Sequence, residues 1–346
     1  MAKKIYETQT VKQTLNKVQA KSMPFDWSIN PYRGCAHGCS FCYARAFQSF
    51  IGREADDDFQ NRIMLKTNAA EALDAQLSKL AQRFSYDIGQ LQNHVGLVVL
   101  GTATDPYQPV EIKAKITRAC LEVLAKYRIR TSITTRSPLI LRDLDLLSRM
   151  NIDSVNISLN SLNPAVIRMM EPGAPLPYKR LEAMQKLSAA GVRAGLFIAP
   201  ILPFLTDSRE SLEQLMTAAK DHRASFAMTS LLRLSPDVKG WFLHMLQKHE
   251  PELVPRYKSL FQGAYPDPRY ADKIKLLARS SSKNFSCTTM SRRNGTRLPL
   301  RPKRPSRLLH GCPARRCPGL KWNSSASRSE CTKGPVQRTG PFFRPI

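Results

Sequence analysis

The sequence predicts an α/β fold built on a mainly parallel sheet, and three observations lead there. Strand-like runs recur at residues 95–100, 130–135, 153–159, 194–200 and 226–232, with a weaker one at Arg62–Lys66. The segments between them repeat apolar residues at helical spacing. The chain has 346 residues, 42% of them hydrophobic, enough to bury a sizeable core without disulfide staples. Alternating strands and helices imply βαβ units with right-handed crossovers, and such sheets gather functional groups at the carboxyl ends of their strands.

Residues 1–24 read as a polar N-terminal arm, and residues 25–280 as one domain. Within the domain, Ile112, Ile116, Ala119 and Val123 make one apolar stripe. Ser137 is placed to cap a helix with Pro138 in its first turn and Ile140, Leu144 and Leu147 on one face. Tyr178, Leu181, Met184 and Leu187 make another stripe, with Gly191 where a C-terminal cap belongs. Residues 281–346 differ in kind, with 11 Arg, 9 Ser, 8 Pro and 4 Cys but no Asp. Three readings stand for this basic tail: an out-of-frame translation, a disordered segment, or a small folded unit in which His310, Cys312, Cys317 and Cys331 imitate a zinc site.

The net charge of +26 overstates the basicity of the domain. Residues 281–346 hold 15 Lys and Arg against the single acid Glu330, a charge of +14, which leaves +12 for residues 1–280. A nucleic-acid partner is therefore only weakly indicated. The start of the chain is basic but has no apolar stretch after it, unlike a signal peptide, and no apolar run approaches the ~18 residues that span a bilayer. A cytoplasmic protein with no membrane contact is expected.

Most of the chemistry is concentrated in Asn30-Pro31-Tyr32-Arg33-Gly34-Cys35-Ala36-His37-Gly38-Cys39-Ser40-Phe41-Cys42-Tyr43. Three thiolates within eight residues, spaced Cys-x3-Cys-x2-Cys, can reach three corners of one iron–sulfur cube and leave one iron open. The alternatives are a zinc site that recruits His37, and inert buried thiols. Cys120 lies near a helical stripe and is expected to be a small buried hydrophobe.

This loop, with an aromatic residue before its last cysteine, resembles the signature of radical S-adenosylmethionine (SAM) enzymes. Its surroundings are similar to the spore photoproduct lyase-like branch often labelled "DNA repair photolyase". The matching phrases are Asn30 to Cys35, Gly101-Thr102-Ala103-Thr104-Asp105-Pro106-Tyr107-Gln108-Pro109-Val110-Glu111, the run from Thr135 to Asp143, Glu171-Pro172-Gly173-Ala174-Pro175, and Ala199 to Pro203. The resemblance runs from about residue 22 to about residue 275, and nothing in the tail shares it.

The resemblance implies a partial (β/α)6 barrel with a [4Fe–4S] cluster on Cys35, Cys39 and Cys42. Its open iron would chelate SAM, and reductive cleavage would give a 5′-deoxyadenosyl radical that abstracts hydrogen from a substrate. An electron donor such as flavodoxin or ferredoxin is implied as a partner, with a nucleic acid as the family-level substrate. A peptide or small-molecule substrate, or a non-catalytic iron–sulfur protein, is the alternative. Thr104 or Asp105 would meet the SAM amino group, or simply form a turn. Arg136 would grip the SAM carboxylate with two parallel hydrogen bonds, or be a solvated surface residue. Ser158 and Asn160 would bond its ribose or carboxylate, or begin a loop. Phe41 would lie near the adenine, or pack in the core. One departure stands out: the lyase's hydrogen-donating cysteine follows the second barrel strand, where this chain has Thr102, and no cysteine lies between Cys42 and Cys120.

Overall fold

The computed structural model describes residues 4–19 and 23–281. The expectations for the basic tail therefore lie outside the described residues, apart from Ser281 at the end of the helix Pro268–Ser281. Ten strands occur in chain order: β1 (Ile5–Gln9), β2 (Asn16–Lys17), β3 (Trp27–Ile29), β4 (Tyr32–Arg33), β5 (Arg62–Lys66), β6 (Val98–Leu100), β7 (Thr131–Thr135), β8 (Ile152–Ser158), β9 (Ala194–Ile201) and β10 (Ala227–Leu231). A seven-stranded sheet has the order β10-β9-β8-β7-β6-β3-β2. Its six strands from β3 to β10 are parallel to their neighbours, and only the edge strand β2 runs antiparallel, against β3. Six parallel strands joined by helices in an open sheet are the architecture of a partial (β/α)6 barrel.

The five main predicted strands are β6 to β10, and the structure moves some ends. Val95 closes the helix Ile88–Val95, and Gly96 at φ +67° turns the chain so that β6 begins only at Val98. Arg62–Lys66 is a strand, but it belongs to a second sheet of order β1-β5-β4. There β1 pairs parallel with β5, so part of the arm expected over residues 1–24 is tied to the domain. The first barrel strand, β3, is not legible in the sequence, because its three residues are too few to show a period.

Side chains on alternate positions separate the two faces of the main sheet. Ile133, Val155, Ile157, Leu196 and Ile198 enter the large apolar core beneath the helices. On the other face, register aligns Ser28, Val99, Ser132 and Ser154, then Thr134, Asn156 and Gly195 in the next row. These residues bond to one another: Ser132 Oγ lies 2.8 Å from Ser154 Oγ, and Asn156 Nδ2 donates to Ser132 Oγ and Thr134 Oγ1 at 3.2 Å each. Closed (β/α)8 barrels fill this face with branched apolar residues. Here its first two rows are small, uncharged and, Val99 apart, without apolar side chains, and Phe197 and Met228 follow on the same face.

The helices follow the sequence with three corrections. Leu181, Met184 and Leu187 are buried on the helix Pro177–Ala189, whereas Tyr178 is exposed. Ser137 caps Leu139 N with its hydroxyl, but the turn that follows, Pro138–Asp143, is a 3-10 helix. The stripe through Ile112 is broken because Lys115, at φ +52°, separates Glu111–Ala114 from Ile116–Lys126. Ile112 is exposed, and the buried face of the longer helix carries Ile116, Cys120, Leu121 and Leu124. Cys120 is thus the buried hydrophobe expected. The helices Pro236–His249 and Leu253–Leu260 form a second core with Phe41, Met170, Leu202 and Leu232. No helix among the described residues is long and apolar enough to cross a membrane.

Candidate active site at the cysteine loop

The cysteine loop follows β3 and β4, at the carboxyl end of the first parallel strand. Cys35 and Cys39 are buried, Cys42 is half-buried, and all three are free thiols. The turn starts at Gly34, φ +82°, where a Cβ would stand 2.8 Å from the Phe59 carbonyl, so a larger residue would displace the loop. From there the loop is pinned on every side. Cys35 N donates to Phe59 O at 2.9 Å, Ala36 N to Gln108 Oε1 at 3.0 Å, and Ser40 N to Met170 O at 2.9 Å. Thr104 Oγ1 donates to Gly34 O at 2.6 Å and accepts from Gln108 Nε2 at 3.1 Å.

The scattered sequence phrases converge on this loop. Gly173 N donates to His37 O at 2.9 Å, and His37 Nδ1 lies 3.1 Å from Gly173 O. The other ring nitrogen of His37 faces Asp105 Oδ2 at 3.2 Å. Asp105 also accepts from Thr135 Oγ1 (2.6 Å), Tyr107 N (2.9 Å) and Arg136 N (2.8 Å). Burial alone would raise the Asp105 carboxyl, but His37 and these donors bring it down to about 2. Three hydrogen bonds and the charge contact with His37 occupy the carboxylate. Asp105 therefore fixes the β6 and β7 ends to the loop, a structural role beside the expected contact with a SAM amino group. Thr104 is likewise engaged in bracing the loop.

Glu171 joins the next two strand ends. It accepts from Arg180 Nη2 at 2.6 Å and pairs with Arg136 Nε at 3.3 Å, while Arg180 Nη1 donates to Ser158 O at 2.9 Å. Arg136 is therefore no solvated surface residue, and its guanidinium lies 5.9 Å from the Phe41 ring. Phe41 itself is buried in the second core, which is the packing alternative for that residue. Ser158 is buried at the end of β8. Two residues on, Asn160 is 1% exposed, and both its amide oxygen and its amide nitrogen lack a partner. An unpaired buried amide is costly, so this one calls for a partner.

Burial pushes the Cys35 thiol up to about 12, with the Asp105 and Cys42 charges adding to it, and burial carries Cys39 well above its ordinary value. Without a metal these groups are neutral thiols. Ligation requires thiolates, so Cys35 and Cys39, with Cys42 beside them on the same loop, fit a positively charged cluster that takes the place of protons. Among the described residues, no group of three or more Cys, His, Asp and Glu side chains is arranged to hold a metal ion. A cube takes its thiolates at separate corners, so this spacing fits a cluster better than the zinc alternative. His37, engaged on both ring nitrogens, is not available as a fourth ligand.

Sequence reasoning missed the bracing by His37, Glu171 and Gly173, and the burial of Arg45 beside the loop. The first three lie inside quoted phrases, but their meeting depends on how distant segments pack. Arg45 follows Cys42 by three residues and carried no pattern of its own.

Comparison with known proteins gives a consistent picture. The family model described as "Radical SAM superfamily" matches residues 29–216. The Mycobacterium tuberculosis "Uncharacterized protein Rv2578c" is 34% identical over 269 residues, 76% of each chain. The Methanocaldococcus jannaschii "Uncharacterized protein MJ0683" is 27% identical over 224 residues, 65% of this chain and 76% of that one. Among solved structures, spore photoproduct lyase complexed with dinucleoside spore photoproduct aligns with a TM-score of 0.60 over 83% of this chain and 82% of that chain. At 16% identity that likeness is one of fold. The family model spans more than half the chain, from β3 to beyond β9, and the chain therefore belongs to the radical SAM superfamily, enzymes that work with a [4Fe–4S] cluster and SAM.

Proposed function

We propose that Cys35, Cys39 and Cys42 hold a [4Fe–4S] cluster with one open iron, and that the protein cleaves SAM reductively to abstract hydrogen from a substrate at the polar face of the sheet. The observation that carries this reading is the cysteine loop itself: three free thiols at the carboxyl end of the first parallel strand, pinned by three other segments, at Phe59, Thr104 to Gln108 and Met170 to Gly173. When bound, the cluster and SAM supply the one-electron cleavage of a carbon–sulfur bond. The protein's residues bind and orient. Arg136 presents a guanidinium to the SAM carboxylate, held in place by Glu171. Asn160 offers its unpaired amide to the polar groups of SAM. Thr104, Asp105 and His37 keep the loop and the neighbouring strand ends in register. Phe41 and the helices behind it exclude water from one side of the loop.

Electrons would come from a small redox protein such as flavodoxin or ferredoxin. Nucleic acid is the substrate class we assign. Its supports are the +12 charge of residues 1–280 and the fold likeness to a lyase bound to a dinucleoside photoproduct. The chemistry is expected to differ from that lyase's, because Thr102 stands at the donor position and its hydroxyl accepts from Asn30 Nδ2 at 2.9 Å. A hydroxyl gives up a hydrogen atom far less readily than a thiol.

Anaerobic reconstitution tests the cluster assignment. About four irons per chain are expected, with a reduced-state electron paramagnetic resonance signal that changes when SAM is added. A Cys39→Ala protein that keeps full cluster absorbance would overturn the reading. For the substrate, wild-type protein should fail to release clean thymine monomers from a dinucleoside spore photoproduct. Efficient repair would refute the role given to Thr102, and turnover of a peptide but of no nucleic acid would refute the substrate class.

A further inference from the structure

Arg45 is, with Arg180, one of the two largest fully buried side chains of the described residues, yet it has no part in binding SAM or the cluster. It sits in the 3-10 helix Tyr43–Ile51 that leaves the cysteine loop. Its Nε donates to Cys39 O at 3.0 Å and its Nη2 to Gly38 O at 3.0 Å. Further bonds reach Asp56 O at 2.6 Å and Gln60 Oε1 at 2.5 Å. The guanidinium carbon lies 5.0 Å from the Phe59 ring centre and 4.8 Å from that of Trp241. No carboxylate forms an ion pair with it within 4.0 Å among the described residues.

A guanidinium buried between two aromatic rings and bonded to neutral carbonyls and an amide is costly unless negative charge stands nearby. Arginine stays charged even there. Two of its four acceptors are carbonyls of the loop that carries the three thiols, and the charges that would favour it are the thiolates of Cys42, Cys39 and Cys35 together with the Asp57 carboxylate. We infer that Arg45 is a positioning residue for the cluster, fixing the Gly38–Cys39 turn and supplying a buried positive charge that raises the cluster's reduction potential.

The sign follows from charge. A cluster held by three thiolates becomes more negative by one unit on reduction, so a fixed neighbouring cation stabilises the reduced form more than the oxidised form. The inference rests on the cluster assignment. The test compares wild type, Arg45→Lys and Arg45→Gln after anaerobic reconstitution. It measures iron per chain and then the midpoint potential by a mediated redox titration followed by electron paramagnetic resonance. Arg45→Gln should lower the reduced-to-oxidised ratio at fixed potential about tenfold, a shift of about 59 mV to more negative values. Arg45→Lys should restore most of that shift, because it keeps the charge while losing the planar fork. A glutamine variant that takes up no cluster, beside a lysine variant loaded at near wild-type potential, also supports the charge role. Unchanged potentials in both variants, equal shifts in both, or loss of the cluster from both would overturn it. Wild-type protein without a cluster would instead refute the cluster assignment.

Discussion

Replacing Gly173 with alanine probes how the loop is held, because the backbone of Gly173 lies directly against it. A Cβ there would stand 2.2 Å from the Ala36 carbonyl oxygen, 3.1 Å from His37 Cα and 3.2 Å from the Ala36 carbonyl carbon. All three are backbone atoms, so no side-chain rotation relieves the contact. Overpacking of this kind costs about 1–3 kcal/mol. Moving the segment also strains the paired contacts between Gly173 and His37, each worth about 1 kcal/mol. A loss of about 2–4 kcal/mol in unfolding free energy is expected, with impaired cluster loading because Cys35 and Cys39 flank the displaced turn. Gly240→Ala is the matched control. It lies within the helix Pro236–His249, its Cβ would meet nothing within 4 Å, and alanine there should stabilise by about 0.5–1 kcal/mol. Urea unfolding of both variants, with iron counted after reconstitution, reads the contrast. A Gly173→Ala protein with wild-type stability and wild-type iron content would refute the reasoning.

Two further substitutions address the braces behind the loop. Glu111 is fully buried and accepts from Tyr32 Oη, from Thr117 N at 2.9 Å and from Arg142 Nη2 at 2.7 Å. Glu111→Ala should destabilise by about 3–5 kcal/mol in urea unfolding by stranding those donors, and a cost under about 1 kcal/mol would contradict the network. Asp105, held at about 2 against an ordinary 3.8, contributes about 2 kcal/mol that is fully present above pH ~4 and lost as pH falls through 2. Asp105→Asn should therefore be less stable than wild type at pH 7, and the gap should close between pH 4 and pH 2. A gap independent of pH would show that the carboxylate charge plays no part.

The sequence reveals the sheet because five of its six parallel strands are long enough, or apolar enough, to show against the helices between them. The exception is β3, whose three residues carry no period, although the cysteines that follow it mark its end. The Ile112 stripe misleads for a related reason, since a left-handed Lys115 interrupts the helix and periodicity cannot register a single residue's φ. The three cysteines are legible from spacing alone. The bracing is not: Glu171 reaches Arg180 and Arg136, and Gly173 reaches His37, across separations that only the closed fold brings into contact. Asp105 shows a role that resemblance does not carry: beside the ligand contact its strand-end position suggests, the structure ties it to Tyr107, Thr135, Arg136 and His37.

Formation of 5′-deoxyadenosine tests the central claim most directly. Reconstituted wild-type protein, given SAM and dithionite without oxygen, should release 5′-deoxyadenosine, slowly without substrate and faster once a substrate is supplied. Cys35→Ala, Cys39→Ala and Cys42→Ala proteins under the same conditions should release none. A fully loaded wild-type protein that leaves SAM intact would contradict the account and mark the chain as an iron–sulfur protein without this catalysis. Equal release from wild type and Cys39→Ala would contradict the assignment of the cysteine loop.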